Sequence, residues 1–182
     1  MAARNSTRKT AGRARTDAVS VLKADHRQVE AWFSQFEKAR NEERKQNLAT
    51  RICNALKVHT QIEEEIFYPA FLEQAKEEDI HHEAIVEHDG AKKLIADIEA
   101  ASPADDYYDA KVTVLSEMIK HHVKEEEQPG GMFAKARQSG MDLKALGERL
   151  TARRKELEGA AGKTRKSQRS RRPSGFEAEG RA

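Results

Sequence analysis

Seven histidines lie in the middle of this 182-residue chain, all of them between His26 and His122. Four of them form two evenly spaced pairs: His26 and His59 are 33 residues apart, and His88 and His122 are 34 residues apart. This spacing predicts that each of four successive helices contributes at least one histidine. Imidazole nitrogen is a favoured ligand of first-row transition metals, so the chemistry that these residues suggest is shared metal binding.

Two glutamates follow histidines at the spacing of one helical turn. Glu63 lies four residues after His59, and Glu126 lies four residues after His122. Both glutamates extend an apolar stripe with the same steps of four, three and four residues, along Ile52, Leu56, His59, Glu63 and along Leu115, Ile119, His122, Glu126. The stripes predict that both carboxylates face the core, where an unpaired carboxylate is costly. A bound cation removes that cost.

Four imidazoles and two carboxylates are too many ligands for one tetrahedral ion, so they predict a pair of metals. A glutamate four residues after a histidine lies ~5.4 Å further along the helix axis, where its carboxylate can bridge two ions. Iron is the predicted cofactor among the metals that imidazole and carboxylate bind together. Two alternatives stay open: His121 with Glu125 could replace the last pair, or the histidines could be hydrogen-bonded in a metal-free bundle. The neighbouring acids Glu64, Glu65 and Glu127 are expected on solvated faces.

Apolar residues recur at helical spacing through most of the chain, which predicts an all-α protein. Helices are expected over about 17–39, 42–68, 80–101 and 103–127, followed by a shorter helix over 142–157. Thr16 and Ser102 are predicted to cap the first and fourth helices, and Pro69 to end or kink the second. None of the four long helices can bury its apolar stripe alone, so we expect an antiparallel up-down-up-down four-helix bundle.

Charge divides the chain into an acidic middle and two basic ends. Residues 1–16 carry five Lys or Arg and no acid, residues 151–182 carry ten Lys or Arg and four acids, and residues 17–150 carry 18 basic and 27 acidic residues. We expect one domain over 17–150, a disordered basic tail over 1–16, and a helix end with a disordered basic tail over 151–182. Basic tails can contact phosphates, but without a binding fold we do not expect nucleic acid as a partner.

Other functional classes find little support in the composition. No apolar run approaches the roughly 18 residues of a membrane span, so we expect no membrane partner. Cys53 is the only cysteine, which excludes an intrachain disulfide and a thiolate metal site. A reducing cytoplasm is the predicted location.

Four segments, KADHRQVEAWF, HTQIEEEIFYPAF, VEHDGAKKLI and IKHHVKEEE, resemble the successive motifs of the hemerythrin-like HHE cation-binding domain. The resemblance covers about residues 17–138 and implies an antiparallel four-helix bundle that holds a non-haem di-iron centre. It implies as metal ligands His26, His59, Glu63, His88, His122 and Glu126, with the two glutamates bridging the irons. One departure is Ala84, because the oxygen-carrying members of the family have a further histidine at that position.

The resemblance implies a protein that binds or reduces a small oxidant, namely O2, peroxide or nitric oxide, in oxidative or nitrosative stress. Ala84 leaves the iron more open than an oxygen carrier requires, so we expect peroxide or O2 reduction rather than reversible storage. Enzymatic turnover would need an electron donor, which the sequence does not identify, and the oligomeric state also stays open. The alternative function is a non-catalytic sensor or store that binds iron or oxygen.

Overall fold

The computed structural model describes residues 17–170, with side chains described for residues 17–160. The predicted disorder of residues 1–16 and 171–182 lies outside the described residues. Every regular element in the described part of the chain is helical, which confirms the all-α prediction. In chain order the elements are α1 (Ala18–Lys38), α2 (Glu42–Ile62), a π-helical turn (Glu63–Phe67), α3 (Tyr68–Ala75), α4 (Glu78–Glu99), α5 (Tyr108–Glu127), α6 (Met132–Gln138) and α7 (Leu143–Ser170).

Side-chain oxygens begin the first two helices. Asp17 accepts a hydrogen bond of 2.7 Å from the backbone N–H of Ser20, and Asn41 accepts one of 3.0 Å from that of Arg44. Each bond satisfies one of the N–H groups that a first helical turn leaves unpaired. The prediction of Thr16 as the first cap is therefore wrong by one residue, because Asp17 occupies the N-cap position.

The helical chain does not stop at Pro69, although the sequence predicts an end or a kink there. The π-helical turn follows α2, and the backbone N–H of Tyr68 bonds to the carbonyl of Glu63. Pro69 then falls in the first turn of α3, where its missing N–H costs little. A π turn adds a residue to the helical register, and here it lies beside one of the predicted metal ligands.

The fourth long helix begins later than predicted. Ser102 caps a separate turn instead: its Oγ accepts a hydrogen bond of 3.3 Å from the N–H of Ala104, and Asp105 accepts one of 2.8 Å from the N–H of Ser102. The N–H groups of Asp105 and Tyr108 bond to the carbonyls of Ser102 and Asp105, at 2.9 and 3.0 Å. These local bonds compete with helix formation, so α5 begins at Tyr108 rather than at residue 103.

The C-terminal part contains two helices where the sequence predicts one. The short helix α6 is not predicted, and α7 runs to Ser170 rather than ending near residue 157. Gly140, with a φ of 82°, lies between them, and Asp142 begins α7 by accepting a hydrogen bond from the N–H of Ala145. Residues 158–170 are rich in Ala, Lys, Arg and Gln, which favour helix, and the next proline is Pro173. Gly159 and Gly162 lower the helix preference of this stretch, but α7 continues through both.

Two apolar clusters form the core of this helical bundle. One joins α1, α2, α4 and α5. The other joins α1, the end of α2, the π-helical turn, α3, the beginning of α4, α6 and α7. His26 follows Leu22, which belongs to the second cluster, and precedes Val29, which belongs to the first. Polar side chains at this level of the helices are therefore enclosed by apolar packing on both sides. Among the described helices, none combines the length and apolarity that a membrane crossing requires.

Candidate metal centre

Six polar side chains from four parts of the chain meet in the interior. They come from α1, from α2 and the π-helical turn, from α4 and from α5, and each is at most 5% exposed. They are the six residues that the sequence nominates as metal ligands: His26, His59, Glu63, His88, His122 and Glu126. All six predicted site residues are thus brought to one place in the bundle.

The four histidines form two pairs whose inner ring nitrogens face each other. Nε2 of His26 lies 3.1 Å from Nε2 of His59, and Nε2 of His88 lies 3.2 Å from Nε2 of His122. Neutral imidazole carries a lone pair on one ring nitrogen and a proton on the other. Two facing lone pairs do not hydrogen-bond to each other, but they are well suited to share a cation.

Each glutamate lies between one histidine of each pair. Oε2 of Glu63 lies 3.1 Å from Nε2 of His59 and 3.5 Å from Nε2 of His88. Oε2 of Glu126 lies 3.4 Å from Nε2 of His26, and 3.8 Å from Nε2 of the remaining histidine. Within the described residues, neither oxygen of Glu63 accepts a hydrogen bond, and neither does Oε2 of Glu126. A buried acceptor without a hydrogen bond lowers the stability of the fold unless another group, such as a cation, satisfies it.

The outer nitrogen of every histidine in the cluster faces a carboxylate. The Nδ1–oxygen distances are 2.8 Å from His26 to Glu127, 3.3 Å from His59 to Asp25, 2.9 Å from His88 to Glu64 and 2.7 Å from His122 to Glu87. A carboxylate only accepts hydrogen bonds, so Nδ1 carries the proton and Nε2 keeps its lone pair. Outer carboxylates that fix the ring in this way are typical of histidines that bind metals.

Two sets of three potential ligands have donor atoms within 4.8 Å of one another. One set is His26, His59 and Glu63, and the other is Glu63, His88 and His122. The sequence profile of the Hemerythrin HHE cation binding domain matches residues 17–130, which span all of these residues. The chain belongs to the hemerythrin HHE domain family.

A solved structure shows the same fold as this HHE domain. It is the crystal structure of a hemerythrin HHE cation binding domain-containing protein from Mycobacterium kansasii, with a TM-score of 0.68 and 23% sequence identity. The match covers 80% of this chain and 89% of that chain. A second similarity is to a protein from Nostoc sp. strain PCC 7120 that is described as a DNA nickase, which is 28% identical over 107 residues. That match covers 59% of this chain but only 30% of the relative's length.

The outer carboxylates of this HHE domain follow a repeated pattern that sequence reasoning missed. Glu64 and Glu127 directly follow the two inner glutamates, and Asp25 and Glu87 directly precede two of the histidines. Their bonds to histidine correct the expectation that Glu64 and Glu127 lie on solvated faces, whereas Glu65 does pair on the surface with Arg153. The sequence carries only a partial signal, because an acidic residue adjoins an inner ligand six times and four of these acids bond to a histidine of the centre.

Tyr68 is a further member of the centre that the sequence does not assign. Its phenol oxygen lies 3.1 Å from Nε2 of His88 and 3.3 Å from Oε1 of Glu126, and the side chain is fully buried. Its ring also packs edge-on against His81, which lies outside the cluster. Tyr68 therefore supplies an O–H group to the pair formed by His88 and His122, and no residue in the described part of the chain does the same for the other pair.

The alternative pair in α5 points away from the centre. The side chain of His121 is 60% exposed and contacts Glu87 at the surface, and Glu125 accepts a hydrogen bond from Gln128. The neighbouring pair, His122 and Glu126, is buried in the cluster. The helix thus turns the second histidine inward, as the match between its stripe and that of α2 indicates.

Burial and neighbouring charges set the protonation of the centre. Burial, helped by His59, lowers the pKa of His26 well below its ordinary value, and burial, helped by His122, lowers the pKa of His88 to about 2. Burial and the proximity of Glu126 raise the pKa of Glu63 well above 4.5. Burial also raises the pKa of Glu126 despite the nearby His122. Without a cation the centre therefore favours the neutral forms of His26, His88, Glu63 and Glu126. His122 differs, because Glu126 and Glu87 raise its pKa against the effect of burial.

The donor set fits a pair of first-row metal ions. Lone pairs on four imidazoles point inward, the unpaired carboxylate oxygens of Glu63 and Glu126 lie between them, and the outer acids hold the rings. A divalent cation would satisfy these acceptors and stabilise the charged form of both glutamates. Nitrogen and oxygen donors without sulfur suit iron, among other first-row metals.

Proposed function

We propose that this HHE domain binds two iron ions through His26, His59, Glu63, His88, His122 and Glu126. The main support is the geometry of the glutamates, each of which lies between one histidine of one pair and one histidine of the other. A bridging carboxylate requires such a position. In this proposal α1, α2, α4 and α5 form an antiparallel up-down-up-down four-helix bundle within one domain of residues 17–150.

The proposed activity is the binding or reduction of a small oxidant in oxidative or nitrosative stress in the cytoplasm. When bound, a di-ferrous pair supplies two electrons to O2 or peroxide, or binds nitric oxide. The chain contributes a water-poor interior, since all six proposed ligands are buried. It also contributes the phenol O–H of Tyr68, which can donate a proton or a hydrogen bond beside His88 and Glu126. Sustained turnover would require an external electron donor.

Ala84 supports reduction over reversible storage. It is buried, and it stands where the oxygen-carrying members of the family resembled here have a further histidine. The side chain of alanine cannot bind metal, so this HHE domain offers one imidazole fewer at that side. A metal with fewer protein ligands keeps more positions for water or substrate.

Metal content is the first test of the proposal. Protein purified from iron-supplemented cells should contain two iron ions per chain by elemental analysis. His59→Ala should lower that content and also remove the optical bands of the iron pair, while the exposed His82→Ala should leave both unchanged. Wild-type protein without iron would end the proposal.

The reaction needs a separate test. The di-ferrous protein, mixed with peroxide or with O2, should consume the oxidant and become di-ferric. A fully reversible O2 adduct together with no consumption of peroxide would instead identify an oxygen carrier or store.

A second candidate is a non-catalytic iron sensor or store that contacts DNA. It is favoured by the similarity to the Nostoc relative, which is described as a DNA nickase, and by the 15 Lys and Arg in residues 1–16 and 151–182. Filter binding of labelled duplex DNA at low and moderate salt tests it, with a variant lacking residues 1–16 and 161–182, and with them 12 of these 15 basic residues, as the control. Binding that is lost in the truncated variant, without any consumption of oxidant by the full chain, would favour the sensor.

A further inference from the structure

A cation needs a route into the centre, because each proposed ligand is at most 5% exposed. One cavity, of about 110 Å³, reaches the centre at Glu126. Its walls are the beginning of α4, the end of α5 and the glycine turn that follows α5. The lining residues are Ile80, Glu83, Ala84, Glu125, Glu126, Gln128, Gly130, Gly131 and Met132. This acidic cavity is large enough for a partly hydrated ion.

Every charged residue that lines the acidic cavity is a carboxylate. Glu83 is exposed, Glu125 is half-buried and Glu126 is buried, so the three acids lie at increasing depth. None of the lining residues is basic. Carboxylate oxygens replace the water ligands of a divalent cation as it leaves solvent, and their charge repels anions.

The end of α5 adds to the negative potential of the acidic cavity. Helix α5 ends at Glu127, so the partial negative charge of its C-terminus lies at this wall. Pro129 has no N–H and cannot complete the helical hydrogen bond to the carbonyl of Glu125. The glycine turn fits tightly here, since a Cβ on Gly131 would lie 2.2 Å from that carbonyl oxygen.

Glu126, the buried acid that lines the acidic cavity, carries an unpaired acceptor. Oε2 of Glu126 is fully buried and accepts no hydrogen bond from any described residue. The small side chain of Ala84 lines the cavity beside it. A cation that passes Glu83 and Glu125 therefore meets a carboxylate oxygen that has no other partner.

The other cavities beside the centre suit a cation less well. A groove of about 620 Å³ touches Asp25, but Arg51, Lys57 and Arg154 line it, and Arg154 covers Asp25. A smaller cavity of about 10 Å³ is lined by the four histidines, by Asp25 and Thr60, and by aliphatic residues of α1, α2 and α5. The first would repel a cation. In the second, Asp25 is already bonded to Arg154, and the volume is too small for a hydrated ion.

We propose that the acidic cavity is the route by which a divalent cation such as Fe²⁺ enters the centre, with Glu83 and Glu125 as transient ligands and Glu126 as the first permanent one. This inference rests on the proposed metal binding. In this route Glu83 and Glu125 increase the rate of metal uptake but do not bind metal in the final complex.

Stopped-flow uptake of Co²⁺ by the metal-free full chain tests the route, because Co²⁺ develops visible absorption when protein ligands bind it. Glu83→Gln combined with Glu125→Gln should slow uptake roughly five- to tenfold at low salt, since local acids raise the concentration of a cation at a cleft. The final amount of bound Co²⁺ should not change. High salt should shrink the difference between the two proteins.

The matched control is Glu117→Gln combined with Glu148→Gln, which removes the same charge from exposed positions away from the acidic cavity. Uptake that is equally fast in the cavity variant and the wild type, or equally slow in the control, would overturn the route. Loss of bound Co²⁺ in the cavity variant alone would also overturn it, because Glu83 or Glu125 would then be a permanent ligand. No bound Co²⁺ in the wild type would instead reject the proposed metal centre.

Discussion

Arg154 on α7 donates a hydrogen bond to the carboxylate of Asp25 on α1. Asp25 in turn lies 3.3 Å from Nδ1 of His59, so a residue 95 positions further along the chain supports one histidine of the centre through an acid. The helix that carries Arg154 lies outside the profile match, which ends at residue 130. The C-terminal helix therefore takes part in positioning the centre.

Replacing Arg154 with methionine should weaken metal binding without removing it. Asp25 would lose its partner and hold His59 less firmly. We therefore expect the affinity for Co²⁺ to fall roughly three- to tenfold, which is at or below the loss usual when a hydrogen-bond partner of a metal ligand is replaced. Competition with a chromophoric chelator measures this affinity. Arg153→Met is the matched control, because the adjacent arginine pairs with Glu65 at the surface. Equal affinities in the two variants would contradict the role of Arg154.

Tyr68 and Tyr108 allow a paired test of buried hydroxyl groups. Both side chains are almost fully buried, but only Tyr68 has hydrogen-bond partners, whereas the hydroxyl of Tyr108 has none among the described residues. Tyr68→Phe should lower the free energy of unfolding of the metal-free protein by about 1–3 kcal/mol, because it leaves Glu126 with one donor fewer. Tyr108→Phe should change it by less than about 1 kcal/mol, or stabilise the fold.

Urea unfolding of the metal-free proteins, followed by circular dichroism, measures both changes. An equal loss of stability in the two variants would mean that the bonds of Tyr68 contribute nothing beyond the packing of its ring.

The inner residues of the centre could be predicted because they share the period of the core. His59 and Glu63 continue the stripe of Leu56, and a single helix is enough to place a residue on a stripe. The outer acids could not be placed in this way. Glu64 and Glu127 bond to histidines on other helices, and the sequence of one helix does not show how close another comes.

The errors in the predicted fold have similar causes. Pro69 is tolerated because the π-helical turn moves it to the start of α3. Ser102 caps only a separate turn that closes before α5 begins. Both outcomes depend on which local hydrogen bonds form, and the preference of each residue for helix or turn does not determine that. The contact of Arg154 with Asp25 depends on the path of α7, which the sequence predicts to be shorter.

His121 and His122 provide a direct test of which face of α5 binds metal. His122→Ala removes a buried imidazole from the centre, and we expect less than the wild-type amount of bound iron by elemental analysis. His121→Ala removes an exposed side chain, and the iron content should stay at the wild-type value. The reverse result would mean that the pair of His121 and Glu125 binds the metal instead.

Metal binding should release protons, and its affinity should fall as the pH falls. Burial raises the pKa of Glu63 and of Glu126 above the ordinary 4.5, so the metal-free fold keeps protons on these acids to a higher pH than free glutamate does. A bound cation requires the carboxylate form, so these protons must leave on binding. The pKa of His88 is lowered to about 2, so this imidazole is already neutral and releases no proton.

Calorimetric titration of the metal-free protein with Co²⁺, in buffers of different ionisation enthalpy near pH 6 and near pH 8, counts the released protons. More protons should be released and the affinity should be weaker at the lower pH, because a larger fraction of the two buried glutamates is then protonated. His122, whose pKa Glu126 and Glu87 raise against its burial, adds to this release. Glu65→Gln is the control, because Glu65 belongs to the same run of three glutamates as Glu63. Its pKa is lowered by hydrogen bonds from Arg153 and Gln61, so Glu65 is ionised in both states and its loss should leave the proton count unchanged. An affinity that does not vary with pH would show that Glu63 and Glu126 are already ionised before the metal binds.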